Sequence, residues 1–425
     1  MEILVLGSGA REHALAWRLA RDEGVRRVRI APGNAGTAAA ADPVEDLDPL
    51  DPGAVARHAA RERYDMVVVG PEGPLAAGVA DALAGAAVPV FGPSRAAARL
   101  ETSKAFAKEV MARAGVATAG SAAFINADAA LAHARRQDRP PVVKADGLAA
   151  GKGVVVPDTI EEAEEAIRTQ LAGPAAEGGV LLEERLEGRE VSAFALVSGE
   201  AVVPLAAACD YKRLDDGDIG PNTGGMGAYC PVPWFGTEAL ETAVARVFEP
   251  VAWRMARDGT PYRGVLYAGL MLTGQGPMVL EFNARFGDPE AQVVLPLLDG
   301  ELAAALLGVA RGERSLMEDS VRLGPGAAVG VVLASAGYPD APQVDRRLAG
   351  AEPAARDDDG PLLCFHAATH RADGGFVSSG GRIATFVGLG DDLATARATA
   401  YAGAEAASLD GGQLRHDIAA REIQP

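Results

Sequence analysis

The sequence predicts a multidomain α/β protein, and three observations carry that prediction. The chain has 425 residues, room for about three domains at roughly 100–200 residues each. Its first hundred residues alternate short apolar strands with helical segments, the pattern of a parallel sheet joined by right-handed crossovers. Beyond about residue 140 the pattern turns mainly to strands, so further α+β units follow. Residues 1–102 read as a Rossmann-like N-terminal unit, 103–320 as a central region and 321–425 as a small α+β unit. The central region divides into parts at about 116–188 and 189–320.

In order, strands are expected at Ile3–Leu6, Val28–Ile30, Met66–Val69 and Val88–Phe91. Helices lie between them at His13–Ala20, Ala54–Arg63 and Leu75–Leu83, and the Asp- and Pro-rich stretch Asp42–Gly53 is a solvated loop. Ser103 caps a helix that runs through Arg113 and is closed by Gly115. Strands then flank one helix near Ile160–Leu171, and Asp215–Pro233 reads as a long Gly/Pro/Asp loop. Next come helix Glu238–Arg257 and strands Gly264–Thr273 and Met278–Asn283. The last unit has strands at Ala327–Ala334, Leu362–Thr369 and Arg382–Val387, then helix Leu393–Ala407.

Composition narrows the function. A net charge of −18 argues against nucleic acid or an anionic membrane as partner, because each requires a basic footprint. No segment approaches the ~20 consecutive apolar residues of a membrane span. Met1–Gly7 lacks a basic region and a long apolar run, so it is not read as a signal peptide. Cys209, Cys230 and Cys364 are too widely spaced for a disulfide framework or a CxxC pair. The expected setting is the cytoplasm. Only five lysines occur, Lys104, Lys108, Lys144, Lys152 and Lys212, the other basic residues being arginine. A compact ammonium is not interchangeable with a planar guanidinium, so these positions are candidates for phosphate contacts. Lys108, one turn into its helix, reads as an ordinary surface residue.

Gly7-Ser-Gly9-Ala-Arg-Glu12 follows a strand and opens a helix but replaces the third glycine of the dinucleotide fingerprint with glutamate. The second strand ends in Ala31-Pro32, with no acid to hold a ribose, which disfavours a nicotinamide enzyme. The loop retains backbone N–H groups suited to an anion. Lys144-Ala-Asp-Gly-Leu-Ala-Ala-Gly151-Lys152-Gly153 has strands on both sides, unlike a Walker A loop, and suits a flap folding over phosphates. Lys104 at the first position of its helix opposes the macrodipole at a cost of about 0.3–1 kcal/mol, which a bound phosphate would turn into attraction. Glu183 or Glu190 could accept hydrogen bonds from a nucleotide's amino or ribose groups. In Val279-Leu-Glu281-Phe-Asn283-Ala-Arg285, alternation puts Leu280 and Phe282 on one face and Glu281, Asn283 and Arg285 on the other. Two oxygen donors so spaced suit magnesium, with Arg285 near a transferring phosphoryl group. Gly220-Pro-Asn-Thr-Gly-Gly-Met-Gly227 could offer successive N–H groups to an anion. Cys364, His366 and His370 share a strand face, but two histidines about 13 Å apart cannot hold one zinc. His13 reads as a packed histidine, and no Ser/His/Asp triad can be assembled.

Together these motifs resemble the phosphoribosylamine–glycine ligase (glycinamide ribonucleotide synthetase) family, ATP-grasp enzymes of purine synthesis. The resemblance runs end to end. It includes Gly9–Leu15, Ala31–Thr37, Val69–Glu72, Phe91–Pro93, Lys144–Gly153, Gly220–Tyr229, Tyr267–Leu270 and Glu281–Glu290. Ala10 stands where the family usually has glycine, Cys209 where it commonly has glutamine, and the loop Gly173–Gly179 is short. The resemblance implies ATP-grasp central domains, with ATP, glycine and 5-phosphoribosylamine as substrates. It also implies magnesium, with manganese able to substitute, and transient contact with neighbouring purine-pathway enzymes. Lys104, Lys144, Lys152, Gly151 and Gly153 would meet ATP phosphates, Glu183 and Glu190 the adenosine, and Glu281 and Asn283 the metal. Asp210, Lys212, Asn222, Thr223, Gly224 and Arg285 would contact substrate and intermediate, with Arg285 catalytic. A different ATP-grasp carboxylate–amine ligase, a nicotinamide oxidoreductase and a non-catalytic nucleotide sensor remain as alternatives.

Overall fold

The computed structural model describes residues 1–148, 153–173 and 178–423. Five parallel strands form the N-terminal sheet: β1 (Glu2–Gly7), β2 (Arg27–Pro32), β3 (Asp42–Pro43), β4 (Met66–Val69) and β5 (Val90–Phe91), in the order β3-β2-β1-β4-β5. Alternate residues of β1 enter different cores, Leu4 and Leu6 one and Ile3 and Val5 the other. Such a strand must be covered on both faces, and its near-continuous apolar run follows from that. The expected helix Leu75–Leu83 is two, Glu72–Ala77 and Val79–Gly85, separated by Gly78.

Helix Ala10–Ala20 is buried along its whole length because the N-terminal sheet lies on one side and later parts of the chain on the other. It therefore carries its polar residues inside. Arg18 pairs with Asp22 and donates to the carbonyls of Leu298 and Gly300. His13 accepts from the His366 N–H at Nδ1 (3.0 Å) and meets the Ala354 carbonyl through Nε2 (3.3 Å). Its ring is neutral with the proton on Nε2, and burial first, then His366, push its pKa down to about 3.

Four antiparallel strands follow: β6 (Ser121–Phe124), β7 (Val142–Ala145), β8 (Val154–Val155) and β9 (Val180–Glu183), ordered β6-β9-β7-β8. Helices Ala127–Ala134 and Ile160–Ala172 cover one face with a small core of their own around Leu131, Val143, Ile167 and Leu182. Val143 pairs with Val155 and Lys144 with Val154, so the flap joins antiparallel strands. Gly151 and Lys152 lie outside the described residues.

The remaining strands are β10 (Arg189–Ser198), β11 (Ala201–Asp210), β12 (Arg213–Asp215), β13 (Ile219–Asn222), β14 (Gly227–Cys230), β15 (Arg263–Thr273) and β16 (Gly276–Asn283). After them come β17 (Leu298–Gly300), β18 (Val321–Leu323), β19 (Ala327–Ala334), β20 (Arg347–Ala349), β21 (Leu362–His366), β22 (Thr369–Ala372), β23 (Gly375–Ser378), β24 (Arg382–Gly390) and β25 (Ser408–Leu409). Eight of them make one sheet, β16-β15-β10-β11-β14-β19-β24-β21. The segment Asp215–Pro233 is thus not a plain loop. Its Gly227–Cys230 stretch is β14, which pairs with β11 on one side and β19 on the other. Hydrogen bonding is continuous from the β15–β16 hairpin into the C-terminal part.

Candidate active site

The site lies where the four-stranded sheet faces the open edge of the eight-stranded one. Two anchors hold the sheets together: Thr118 Oγ1 donates to the Val279 carbonyl (2.6 Å), and Lys144 Nζ donates to the Leu280 carbonyl (2.9 Å). Between them is a cavity of about 310 Å³, continuous with a second through shared walls at Val154, Glu183, Asp210, Lys212, Leu280 and Glu281.

Edge strand β16 carries the metal candidates. Its alternation is interrupted: Gly269 of β15 pairs with Glu281 and Leu270 with Val279, so Leu280 is an extra, bulged residue. Val279 and Phe282 face the core, and Leu280 lines the cleft with Glu281. The expectation that Leu280 shares the Phe282 face is thereby corrected. Glu281 and Asn283 both line the cavity, and neither has an ion-pair or hydrogen-bond partner among the described residues. Burial would raise the Glu281 pKa, but Lys144, Lys104, Lys212 and Arg285 outweigh it and hold the group below the usual carboxylate range. An ionised carboxylate beside a free amide oxygen is a donor set that fits a hard divalent cation.

Glu183 at the end of β9 is buried and serves two lysines, Lys144 at 3.0 Å and Lys108 at 3.2 Å. Lys108 is not a surface residue: it also donates to Thr118 Oγ1 and the Ala119 carbonyl and lines the cavity. Its pKa is lowered, chiefly by burial. The expected phosphate site at the start of helix Lys104–Ala114 is filled from within the protein. Asp146 accepts from the backbone N–H of Lys104 (2.5 Å) and Ala105, and Ser103 caps Phe106. The Lys104 side chain still lines the cavity, with Nζ 3.5 Å from the Gly147 carbonyl, and buried Gly153 lines it too.

Lys212 forms ion pairs with Glu190 (2.5 Å) and Asp210 (2.8 Å), and these acids raise its pKa well above normal despite burial. Asn222 donates to the Val154 carbonyl (2.9 Å) on β8, tying its segment to the flap. Four successive N–H groups of the Gly220–Gly227 segment are spent within the protein rather than offered to an anion. Thr223 N–H donates to the Lys212 carbonyl, Gly224 N–H to Tyr338 Oη, Gly225 N–H to Thr223 Oγ1 and Met226 N–H to the Tyr211 carbonyl. Gly225 needs its glycine: φ is +108°, and a Cβ would overlap the Pro289 ring. At the helix after β1, the anion position is likewise taken, because Glu12 accepts from Gly9 N–H (2.7 Å) and packs against Gly70. That arrangement takes the Gly9 N–H that a dinucleotide pyrophosphate would need.

Arg285 is clamped by Glu101 (2.9 Å) and Glu72 (3.3 Å) of the N-terminal part and donates to the Phe286 carbonyl. The two acids outweigh burial and raise its pKa. Among the described residues, seven acidic side chains line the first cavity. Glu72, Glu101, Glu183, Asp210 and Asp288 each pair with an arginine or lysine, Asp288 with Arg382 at 2.9 Å. Glu281 and Glu290 have no such partner among the described residues. Lys108, Glu72, Glu101, Arg382 and Glu290 were all missed as site residues. Glu72 and Glu290 lay in quoted motifs, and their polarity inside such runs was the only available signal.

Three family models match the chain in succession: the phosphoribosylglycinamide synthetase N domain over residues 1–101, its ATP-grasp (A) domain over 102–291 and its C domain over 328–421. The phosphoribosylamine–glycine ligase of Streptomyces coelicolor is 49% identical over 424 residues, covering 99% of each chain. That of Mycobacterium leprae is 49% identical over 427 residues, covering 98% of this chain and 97% of the other. The crystal structure of the Thermotoga maritima phosphoribosylamine–glycine ligase matches with a TM-score of 0.83 at 35% identity, covering 98% of this chain and 100% of that one. The biotin carboxylase domain of Hydrogenobacter thermophilus 2-oxoglutarate carboxylase, solved with MgADP and bicarbonate, shares the fold at 17% identity and a TM-score of 0.71, with 97% and 91% of the two chains covered. With all three domain models matched in order and identity sustained from end to end, the chain belongs to the phosphoribosylglycinamide synthetase family.

Proposed function

We infer that this protein is an ATP-dependent phosphoribosylamine–glycine ligase of purine biosynthesis. It joins glycine to 5-phosphoribosylamine as ATP is converted to ADP and phosphate. One observation carries the reading: a relative of that name is 49% identical over 99% of both chains. The three regions 1–102, 103–320 and 321–425 are read as the Rossmann-like N-terminal, ATP-grasp and C-terminal α+β parts of one enzyme.

Glycine's carboxylate attacks the γ-phosphate of ATP, and the ribosylamine nitrogen captures the resulting acyl phosphate. Such chemistry asks for charge neutralisation and positioning. Lys144, anchored by Glu183 and the Leu280 carbonyl, brings one fixed ammonium to the phosphates. Lys104 and Gly153 bear on the same anion from the helix start and the flap, and Lys152 and Gly151 are assigned to ATP from the motif alone. Glu190 accepts from the ribose, and Glu183, expected with it at the adenosine, instead acts through the two lysines it orients. Glu281 and Asn283 would hold magnesium, or manganese, which supplies neutralisation of phosphate charge. Asp210, Lys212, Asn222, Thr223 and Gly224 shape the glycine and ribosylamine side, with Arg285 held between Glu72 and Glu101 for the transferring group. The reaction is assigned to the cytoplasm, and no described helix is long and apolar enough to cross a membrane.

The test is ADP release with glycine, freshly generated phosphoribosylamine and a divalent metal, each omitted in turn. Release should require all three. Turnover with another amino acid or bicarbonate, and none with glycine, would overturn the assignment.

A further inference from the structure

Glu290 is the carboxylate in the cavity that ion pairing and metal binding leave unexplained. It follows the turn Phe286–Pro289, is 4% exposed and lines the same cavity as Glu281. Unlike Glu281 it lies off strand β16, beyond the turn that follows Asn283 and at the start of the short helix Glu290–Val294. Its Oε1 accepts from Ser192 Oγ (3.0 Å) on β10, and Ser192 Oγ lies 2.9 Å from Tyr267 Oη on β15. Because Ser192 spends its proton on Glu290, Tyr267 is the donor to Ser192, and burial keeps the phenol protonated. The relay therefore runs Tyr267 to Ser192 to Glu290 and delivers hydrogen bonds to the carboxylate without neutralising it.

The groups facing Glu290 come from four elements. Asp210 and Lys212 stand at the end of β11, Tyr267 on β15, Arg382 on β24, and Arg285 and Asp288 on its own segment. Each of those cations is committed to another acid: Lys212 to Glu190 and Asp210, Arg382 to Asp288, and Arg285 to Glu72 and Glu101. Burial first and Asp210 second raise the Glu290 pKa to about 7, against Lys212 and the Ser192 hydrogen bond. A group that titrates near the working pH is the best placed to exchange protons during turnover.

We propose that Glu290 is the proton carrier of the amide-forming half-reaction, an inference that rests on the ligase reading above. As the ribosylamine nitrogen attacks the acyl carbon, the C–N bond forms and one N–H proton passes to the Glu290 carboxylate. The C–O bond to phosphate then breaks with its electron pair on the phosphate oxygen. The same proton moves to that phosphate, which leaves as monohydrogen phosphate. No proton is gained or lost overall. Formation of the acyl phosphate from glycine and ATP does not involve Glu290.

Glu290→Gln keeps the shape and removes the proton acceptor. Two products are measured for it and for the wild type. One is glycinamide ribonucleotide from glycine, ATP and fresh phosphoribosylamine. The other is glycine hydroxamate, with hydroxylamine replacing the ribosylamine; hydroxylamine is small and strongly nucleophilic and captures the acyl phosphate without a positioned base. The ribonucleotide rate should fall by about 10²–10⁴-fold, the usual worth of a positioned acid–base group, with hydroxamate formation nearly unchanged. The acidic limb of the wild-type pH profile should vanish in the variant. Glu290→Asp, melting like the wild type, should show the same split with a smaller loss, and it substitutes if the glutamine variant does not fold. Equal loss of both products with a raised glycine KM would overturn the proposal and make Glu290 a ligand of the glycine ammonium. Loss of neither product would also overturn it. A wild-type protein that forms hydroxamate with glycine keeps the ligase reading alive in either case, whereas one forming neither product sinks both.

Discussion

Lowering the pH from 7.5 to 5.0 should weaken this protein through His13 in particular. The ring is completely buried between the N-terminal sheet and the C-terminal part, with Nδ1 accepting from His366 N–H. Protonating Nδ1 would break that hydrogen bond and place a charge among apolar groups beside Phe365 and a second buried histidine. The folded pKa of about 3 lies below the ordinary 6.5, so the unfolded chain binds the proton first. His13's contribution is complete above pH 6.5 and is lost as pH falls from there toward 3. At pH 5.0 the unfolded state has gained roughly 1.5 pH units of binding, about 2 kcal/mol at ~1.36 kcal/mol per unit. Asn in place of His13 retains an acceptor for His366 N–H and cannot titrate. Urea unfolding of wild type and His13→Asn at both pH values gives a difference of differences in which the other titrating groups cancel. The wild type should lose about 2 kcal/mol more than the variant between the two conditions. Equal losses would refute the claim that His13 is held neutral by its surroundings.

Glu281→Gln should remove most turnover, with partial recovery at high magnesium and an unchanged melting temperature. Phe282→Ala, emptying a buried ring site, should instead cost about 3–5 kcal/mol of stability; magnesium titrations and melting curves on both variants separate the two roles. Lys144→Arg should impair ATP use despite the conserved charge, because the ammonium sits buried against Glu183 and the Leu280 carbonyl where a planar fork does not fit. Wild-type ATP kinetics in that variant would contradict this. Gly225→Ala should destabilise the protein, since positive φ and the Pro289 ring both oppose a Cβ; an unshifted denaturation midpoint would show that the segment gives way.

Features that depend on neighbours in the chain were legible. The alternation of apolar strands and helices announced the N-terminal parallel sheet, and the valines on either side of Lys144–Gly153 announced antiparallel strands around a flap. Ser103 and Gly115 bounded their helix as expected, because capping is satisfied within a turn. Glu281 and Asn283 were recognisable as a pair since strand geometry sets their spacing. The motifs from Gly9 to Glu290 were distinctive enough to identify the family.

What only the tertiary structure decided concerns partners far apart in sequence. A bulge at Leu280 turns on how β16 registers against β15, which no single-strand pattern encodes. Lys108 looked like a surface residue because helical position says nothing about Glu183, which lies 75 residues later and buries it. The glycine-rich segment looked like a loop because few side chains announce a strand there, yet β11 and β19 supply the hydrogen bonds that make β14. Asp146 supplies the anion that the helix at Lys104 was expected to take from a ligand. Glu290 stands out only when the other acids of the cavity have each been assigned to an arginine, a lysine or the metal position. Composition and periodicity report how each segment buries its own apolar face; which charges meet inside that burial is set by the assembled sheets, and there the chemistry is decided.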